Sequence, residues 1–507
     1  MIKLKLLFVG SIFFFLSCSL STELNTDTTR IVAGNSKITG KIITADDQNN
    51  EDIVLTITTT QPITGETVRH EVVADQSGEF SLDFDMEVET SILGLYTSVN
   101  PDKGLYIKTM NNRAVHADIA YDSNHNIKYV NVIPAVNKYD MLQSTEVLNK
   151  LFEYRPDAPD WEYPHWYNKT ADKFLDYVKT TVSKRSSRFI DDNDLFSNEF
   201  KDFLAKDYRL LVYAESVFDY TGQMMGNYRI ATRDTMNTPN IQKIDRSYFR
   251  FLKDLNLNDP GYLHTFTFSE FQDSILRNDI LALPVIGDED IPSWLTKVKD
   301  ILADLIGFDE GPYYDILASN AYGRQLNVAA RPLSEKQKEN ITCYWKDGEI
   351  AKILFRKNEK VIEYDKLKSP TVVNDISSVP KEQVMAEIIT KYKNKVVFID
   401  LWATWCAPCL TAIKQFKSAK TELHGKDIVF VYLTNGSSPL KLWEEQIEGI
   451  GDEHYYLSAE QWEFVMDHFE FEYIPSYLLY SNDGDLVNKY TAFPGNDTFK
   501  EEIGALF

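Results

Sequence analysis

The stretch DLWATWCAPC, residues 400–409, decides the fold of the C-terminal part of this chain. It follows the continuous apolar run Val396–Ile399, which is typical of a central strand buried on both faces. It precedes Leu410–Leu423, in which apolar residues recur at the spacing of one helix face. The sequence therefore predicts that Cys406 and Cys409 stand where a buried strand passes into a helix.

A cysteine at the start of a helix has unusual chemistry. The unpaired N–H groups and the helix dipole at that end favour the thiolate over the thiol, which makes Cys406 the candidate nucleophile, with an exposed sulfur. Pro408 fits the first turn, because the N–H that it lacks would have no helical partner there. Cys409 lies one turn further in and is expected to be the more buried, resolving thiol that releases a mixed disulfide.

Two cysteines at this spacing also occur in structural zinc sites, which need about four ligands. The chain has no second pair at this spacing, and the nearest histidine downstream is His424. We therefore predict a redox pair and no metal.

Composition limits the other functions. The chain has 507 residues, enough for several domains, and a formal net charge of −23 from 76 acidic and 53 basic residues. Such a field repels phosphate backbones, so nucleic acid is not an expected partner.

The residues after the cysteines alternate between strand and helix patterns. A hairpin signal, Asn482-Asp483-Gly484, and an amphipathic segment, Phe499–Leu506, close the chain. Between the cysteines and the hairpin signal, the sequence predicts a strand at Ile428–Leu433, a helix at Pro439–Ile447 and a helix that begins at the capping-box spacing Ser458–Gln461. We predict a mixed α/β sheet for residues 376–507.

These residues resemble the active site of the thioredoxin superfamily, and more closely that of the TlpA/ResA-like periplasmic thiol–disulfide oxidoreductases. The resemblance covers residues 376–507 only. It implies a thioredoxin-like fold, a role in cell redox homeostasis, and no cofactor beyond a redox-active disulfide between Cys406 and Cys409. It also implies protein thiol or disulfide clients and a membrane electron-donor protein as partners.

Asp400 matches the buried acid that accepts the proton of the second cysteine in this family. A carboxyl in apolar surroundings has a raised pKa, which suits proton exchange nearer neutrality. The alternative is an aspartate at a strand end that faces solvent. The predicted catalytic residues are therefore Cys406, Cys409 and Asp400.

Pro475 matches the cis-proline of the family, whose loop offers backbone groups to an extended substrate. The alternative is an ordinary trans proline at the start of a strand. Three features depart from the family pattern: Ala407 stands in place of glycine, Lys414 stands in place of a helix proline, and Leu410-Thr411-Ala412 lacks the acidic residue of several relatives. The predicted client-binding residues are Trp405, at the rim of the sulfurs, with Ala407, Pro408, Ile474 and Pro475.

The part of the chain before residue 376 shows two patterns of apolar residues. Short alternating runs at 36–135 predict a β-sandwich, and three- and four-residue apolar spacing at 136–330 predicts a helical region. Residues 331–375 read as a connector, with a strand pair flanking Asp347-Gly348. Cys343 is expected to be a buried packing residue, and the alternative is a third redox thiol.

The first residues read as a targeting segment. Lys3 and Lys5 precede the apolar run Leu6–Leu16, which is too short for a membrane span, and Ser17-Cys18 ends it. Residues 1–18 resemble a lipoprotein signal peptide with Cys18 as the lipidation site, and residues 19–35 read as a tether. The alternative is a plain signal peptide with an incidental cysteine. The predicted location is the cell envelope, facing the periplasm or the surface, with the outer membrane favoured over the inner.

Two functions are consistent with these residues. The first is an extracytoplasmic enzyme, a thiol–disulfide oxidoreductase that reduces protein disulfides through Cys406 and Cys409. The second is an envelope binding or scaffold lipoprotein, in which the thioredoxin-like domain is accessory to the upstream domains.

Overall fold

A computed structural model describes residues 30–45, 52–152, 166–234 and 237–506. The predicted signal peptide, Cys18 and the first part of the tether lie outside the described residues. Within the described ranges, no helix is long and apolar enough to cross a bilayer. The chain forms a β-domain, a helical region and a C-terminal α/β domain, in that order.

Eight strands form the β-domain. They are β1 (Ile31–Ile43), β2 (Val54–Gln61), β3 (Glu66–Val73), β4 (Glu79–Val88), β5 (Thr90–Thr97), β6 (Asn100–Met110), β7 (Ala114–Tyr121) and β8 (Ile127–Ile133). They make two four-stranded sheets, in the orders β4-β1-β7-β8 and β3-β2-β5-β6. Because alternate side chains point inward, Ile38 and Ile119 of one sheet and Ile57 and Ile107 of the other share a single core. The predicted β-sandwich is confirmed, and β3 and β4 are edge strands.

Helices α1 to α9 follow the sandwich and share one apolar core. They are α1 (Lys138–Phe152), α2 (Ala171–Ser186), α3 (Asn198–Val212), α4 (Tyr220–Thr232), α5 (Phe268–Leu276), α6 (Ile291–Ile306), α7 (Pro312–Asn327), α8 (Glu335–Trp345) and α9 (Glu349–Asp365). Local signals define their ends: Asp290 caps the N-terminus of α6, and Gly307 ends it with φ +88°. The predicted helical region is confirmed.

The predicted strand pair around Asp347-Gly348 is wrong, because these two residues form the turn between α8 and α9. Ser334 begins α8 with a capping box to Gln337, and Gly348 caps α9. The apolar side chains of both helices recur at helical spacing and pack into the core of α1 to α9. A dipeptide that favours a hairpin turn connects two helices here, since the flanking periodicity outweighs the turn signal.

The prediction that Cys343 is a buried packing residue is also wrong. Its thiol is free and exposed on α8. The buried face of that helix is formed by Gln337, Asn340 and Ile341. Cys343 follows Ile341 by two residues, which is about 200° around a helix and therefore on the opposite side.

The C-terminal domain contains β9 (Thr371–Asn374), β10 (Val396–Leu401), β11 (Ile428–Asn435), β12 (Asp452–Leu457), β13 (Ser476–Tyr480) and β14 (Leu486–Tyr490). Its helices are α10 (Val384–Lys391), α11 (Ala407–Glu422), α12 (Leu440–Ile450), α13 (Ala459–His468) and α14 (Asn496–Gly504). The six strands form one sheet, in the order β14-β13-β10-β11-β12-β9. The predicted mixed α/β sheet is confirmed. It contains two strands that the sequence analysis missed: β9, which is short, and β12, whose sequence DEHYYL begins with charged residues.

The central strand β10 is buried along its whole length and separates two apolar cores. Phe398 and Trp402 point to one core, which also holds both cysteines of the pair. Ile399 and Leu401 point to the other core. Because side chains alternate along a strand, Asp400 points to the same side as Phe398 and Trp402, which is the side of the cysteines.

Candidate active site

Cys406 and Cys409 stand where the sequence predicts them, at the passage from β10 into α11. Cys406 is the N-cap of α11, and its Sγ accepts a hydrogen bond of 3.2 Å from the backbone N–H of Cys409. The two sulfurs are joined in a disulfide, with a Cα–Cα distance of 5.2 Å. The same N–H groups and the helix dipole would stabilise a thiolate at Cys406 in the reduced form.

The expectation of an exposed Cys406 sulfur is wrong for this oxidised form. Cys406 is only 3% exposed and Cys409 is fully buried. The reason is that Sγ of Cys406 is turned back onto the first turn of α11, where it is bonded to Cys409 inside the apolar core. Ala407 and Pro408, between the two cysteines, are exposed and form the surface over the pair.

The two tryptophans of the motif have different environments. Trp402 is fully buried in the core. Trp405 is 62% exposed, and its Nε1 donates a hydrogen bond of 3.0 Å to Oγ of Ser437, in the loop after β11. Trp405 therefore lies at the rim of the cysteine pair.

Asp400 is 4% exposed, so the alternative of a solvent-facing aspartate is wrong. Its register neighbours on the adjacent strands are Tyr432 and Tyr477, both buried. Its Oδ1 has no hydrogen-bond partner among the described residues. Burial raises the pKa of Asp400 well above its ordinary value of 3.8, and the positive charge of Lys420 opposes this shift. The carboxyl is therefore placed to exchange a proton nearer neutrality than an exposed aspartate.

Lys420 is a residue of this region that the sequence analysis missed. It projects from α11, donates hydrogen bonds to the carbonyl of Ile450 (3.1 Å) and the hydroxyl of Tyr432 (3.3 Å), and is ion-paired with the buried Asp452. Its position four residues after Phe416, on the apolar side of α11, is a signal that could have identified it, because a lysine there needs a buried partner.

The Ile474–Pro475 peptide bond is cis, as the resemblance implies. This loop leads directly into β13, whose Ser476 pairs with Leu401 at the end of β10. Because β10 continues from Leu401 toward Cys406, the loop with Ile474 and Pro475 lies at the sheet end that leads to the cysteines. The adjoining Tyr473 is 73% exposed, so this side of the site also presents an aromatic surface.

The geometry brings together a dithiol pair, a buried carboxyl and a cis-proline loop at one end of the sheet. Among the described residues, no three His, Cys, Asp or Glu side chains are grouped as metal ligands. The arrangement can carry out disulfide exchange with its own residues: a sulfur at a helix start attacks, a second sulfur resolves, and a carboxyl exchanges the proton.

A family model matches the part of the chain that holds the cysteine pair. Residues 394–486 match the family model described as Thioredoxin-like. No curated protein matches the chain. Similar solved structures include a protein from Bacteroides vulgatus described as a putative thiol-disulfide oxidoreductase (28% identity, 23% of this chain and 82% of that chain, TM-score 0.20). Another is a thiol:disulfide interchange protein from Chlorobium tepidum (16% identity, 27% of this chain and 96% of that chain, TM-score 0.22). A third is StoA from Bacillus subtilis (18% identity, 22% of this chain and 82% of that chain, TM-score 0.19). By the family match, the segment that holds Cys406 and Cys409 is therefore thioredoxin-like.

Proposed function

We propose that this chain is a thiol–disulfide oxidoreductase that acts on protein disulfides through Cys406 and Cys409, with reduction as the favoured direction. The observation that most directly supports this is the Cys406–Cys409 disulfide at the start of α11, with the buried carboxyl of Asp400 on the same side of the sheet. No bound cofactor is required, because the dithiol form of the pair carries two electrons and becomes the disulfide when it gives them up.

In the reductive direction, the thiolate of Cys406 attacks one sulfur of a client disulfide. A bond forms between that sulfur and Sγ of Cys406, and the other client sulfur leaves as a thiolate that takes up a proton. Cys409 then attacks Sγ of Cys406, restores the disulfide and releases the second client thiol. A membrane electron-donor protein supplies two electrons and returns the pair to the dithiol.

Asp400 acts in the second step. Cys409 is fully buried and must lose its proton before it can attack, because the thiolate is the nucleophile. A carboxyl with a raised pKa in the same core is suited to accept this proton and to return it in the reverse reaction. Trp405, Ala407, Pro408, Ile474 and Pro475 line the approach to Cys406 and hold the client.

Reduction of insulin disulfides by the reduced protein tests the proposal. The wild type should reduce insulin, Cys406→Ser should lose at least about 10³-fold in rate because the nucleophile is gone, and Cys343→Ser should match the wild type. Cys343 is the matched control, since it is a free thiol exposed on α8. Full activity in Cys406→Ser, or none in the wild type with any thiol donor, would contradict the enzyme and favour the binding or scaffold role.

The proposed location is the cell envelope, with Cys18 lipidated and the outer membrane favoured over the inner. The supporting observations are the short apolar run before Cys18 and the polar segment after it. Metabolic labelling with a palmitate analogue tests this, since a Cys18→Ser variant should lose the label and leave the membrane fraction.

A further inference from the structure

A groove lies between the active-site helix α11 and the upstream domains. It consists of two adjoining cavities of 500 and 550 Å³, and we call the pair the interdomain groove. Both cavities are lined by Glu66 and Thr67 of β3 and by Thr411 and Lys414 of α11. The first cavity extends to Ala407, the residue directly after Cys406. The groove therefore leads from the β-sandwich to the cysteine pair.

The upstream wall of the groove is the free edge of a sheet. Five consecutive residues of β3, from Glu66 to His70, line the same cavity. Because successive side chains of a strand point to opposite faces, a cavity that touches all five runs along the edge of the strand. β3 is the last strand of its sheet, and among the strands that the structure describes it pairs with β2 alone. Its outward N–H and C=O groups can accept another extended chain.

The opposite wall presents two lysines without carboxylate partners. Nearby, Lys357 is paired with Glu66, and Lys420 with Asp452. Lys414 and Lys417 line the groove and have no carboxylate within ion-pair distance among the described residues. Burial, together with the charges of Lys414, Lys357 and Lys420, lowers the pKa of Lys417 to about 8. A negatively charged ligand would reduce the repulsion among these lysines.

The remaining charges of the first cavity do not cancel this pair. Asp273 is ion-paired with Arg324 and Arg277, and Arg324 also binds Glu445 of the C-terminal domain, so these four charges balance. Glu270 is the remaining carboxyl that lines this cavity. Burial raises the pKa of Glu270, which favours its neutral form. In this cavity, positive charge without a carboxylate partner therefore predominates beside α11; the ammonium of Lys417 also lies 4.2 Å from the ring centroid of Tyr364.

Direct contacts hold the two walls together. Besides the Arg324–Glu445 pair, Nε2 of Gln415 on α11 donates a hydrogen bond of 2.6 Å to Oε1 of Glu71 on β3. The groove is thus formed before a client arrives, which lowers the cost of ordering on binding.

We propose that the interdomain groove binds an extended, acidic segment of the client protein, which adds to the free edge of β3 and brings the client disulfide to Cys406. This inference rests on the proposed function and gives the upstream domains a role in choosing clients. The edge of β3 supplies affinity for any extended backbone, and Lys414 and Lys417 supply the preference for acidic side chains.

Two peptides test the charge preference. Each carries one internal disulfide and an unstructured flanking segment, rich in glutamate in one peptide and in lysine in the other. The ratio of kcat/KM between them is measured for the full-length wild type, Lys414→Glu/Lys417→Glu and Lys395→Glu. Effects on the reactivity of Cys406 cancel in this ratio. Lys395 is the matched control, because it is exposed before β10, at the sheet end opposite the cysteines.

We expect the wild type and Lys395→Glu to prefer the acidic peptide, and the double variant to lower the ratio by about tenfold or more. An unchanged ratio in the double variant would overturn the inference. Reduction of both peptides at equal rates by the wild type would also overturn it while leaving the proposed function intact. Reduction of neither peptide would instead refute the proposed function, and the inference with it.

Backbone methylation tests the addition to β3. The acidic peptide is made in two forms, methylated at alternate backbone nitrogens in one register or the other. Only one set of alternate N–H groups faces a neighbouring strand, so one form should lose about tenfold in kcat/KM and the other should retain it. Equal values for the two forms would exclude pairing with β3.

Discussion

Replacing Asp400 by asparagine should make the stability of the C-terminal domain less sensitive to pH. Asp400 is 4% exposed and one of its oxygens has no hydrogen-bond partner among the described residues, so the charged form is poorly solvated. Its pKa is well above 3.8 in the folded domain, because burial outweighs the attraction of Lys420. In the unfolded chain the carboxyl returns to its ordinary pKa.

The sign and the slope follow from proton binding. Between the ordinary pKa and the raised pKa, the folded domain holds one proton more than the unfolded chain, so stability falls as pH rises through this window. The slope is about 1.4 kcal/mol per pH unit for one proton. For each pH unit inside this window, the wild type should therefore lose up to about 1.4 kcal/mol of stability that Asp400→Asn keeps.

Hydrogen exchange of the β10 amides measures this difference in the full-length oxidised protein. The ratio of protection factors between Asp400→Asn and the wild type, taken at each pH, should increase about tenfold per pH unit within the window. Asp427→Asn is the matched control, since Asp427 is exposed just before β11, and its ratio should not change with pH. A ratio for Asp400→Asn that stays constant from pH 4 to pH 6 would refute the conclusion that the folded domain favours the neutral carboxyl.

Two further substitutions test the packing and electrostatics of the two outer domains. Phe499→Ala should destabilise the C-terminal domain by about 3–5 kcal/mol, because its fully buried ring lies 4.6 Å from that of Phe398 and 4.4 Å from that of Phe416. Lower protection of the β10 amides measures this loss, and unchanged protection would contradict it. Glu87→Gln should remove a pH dependence of the β-sandwich, since burial raises the pKa of Glu87 from 4.5 to about 7. The wild type should lose about 3 kcal/mol between these pH values, seen as falling protection of the β4 amides, and an equal loss in Glu87→Gln would exclude this carboxyl as the cause.

The C-terminal domain was the most predictable part of the chain. Its signals are local: the apolar run of β10, the helical spacing of α11, the capping box at Ser458 and the hairpin before β14 each lie within a few residues. The motif at 400–409 also specified the passage from strand to helix. The errors arose where one local signal opposed another, as at Asp347-Gly348, where a turn dipeptide connects two helices.

Exposure was less predictable than element type. Cys343 was expected to be buried because apolar residues surround it in the sequence, but its position around α8 relative to Ile341 turns it to solvent. Cys406 was expected to be exposed because it begins a helix, but in the disulfide its sulfur is turned onto Cys409 within the core. In both cases burial depends on which side of the helix faces a neighbour.

The sequence alone determined the classes of the three regions, the cysteine pair and the strand that leads into it, because these depend on periodicity and on helix-start chemistry. Only the tertiary structure decided that Lys420 lies near Asp400, and that the edge of β3 faces α11 across a groove. Such contacts join residues far apart in the chain, and their geometry depends on how whole elements pack. No local pattern encodes that packing.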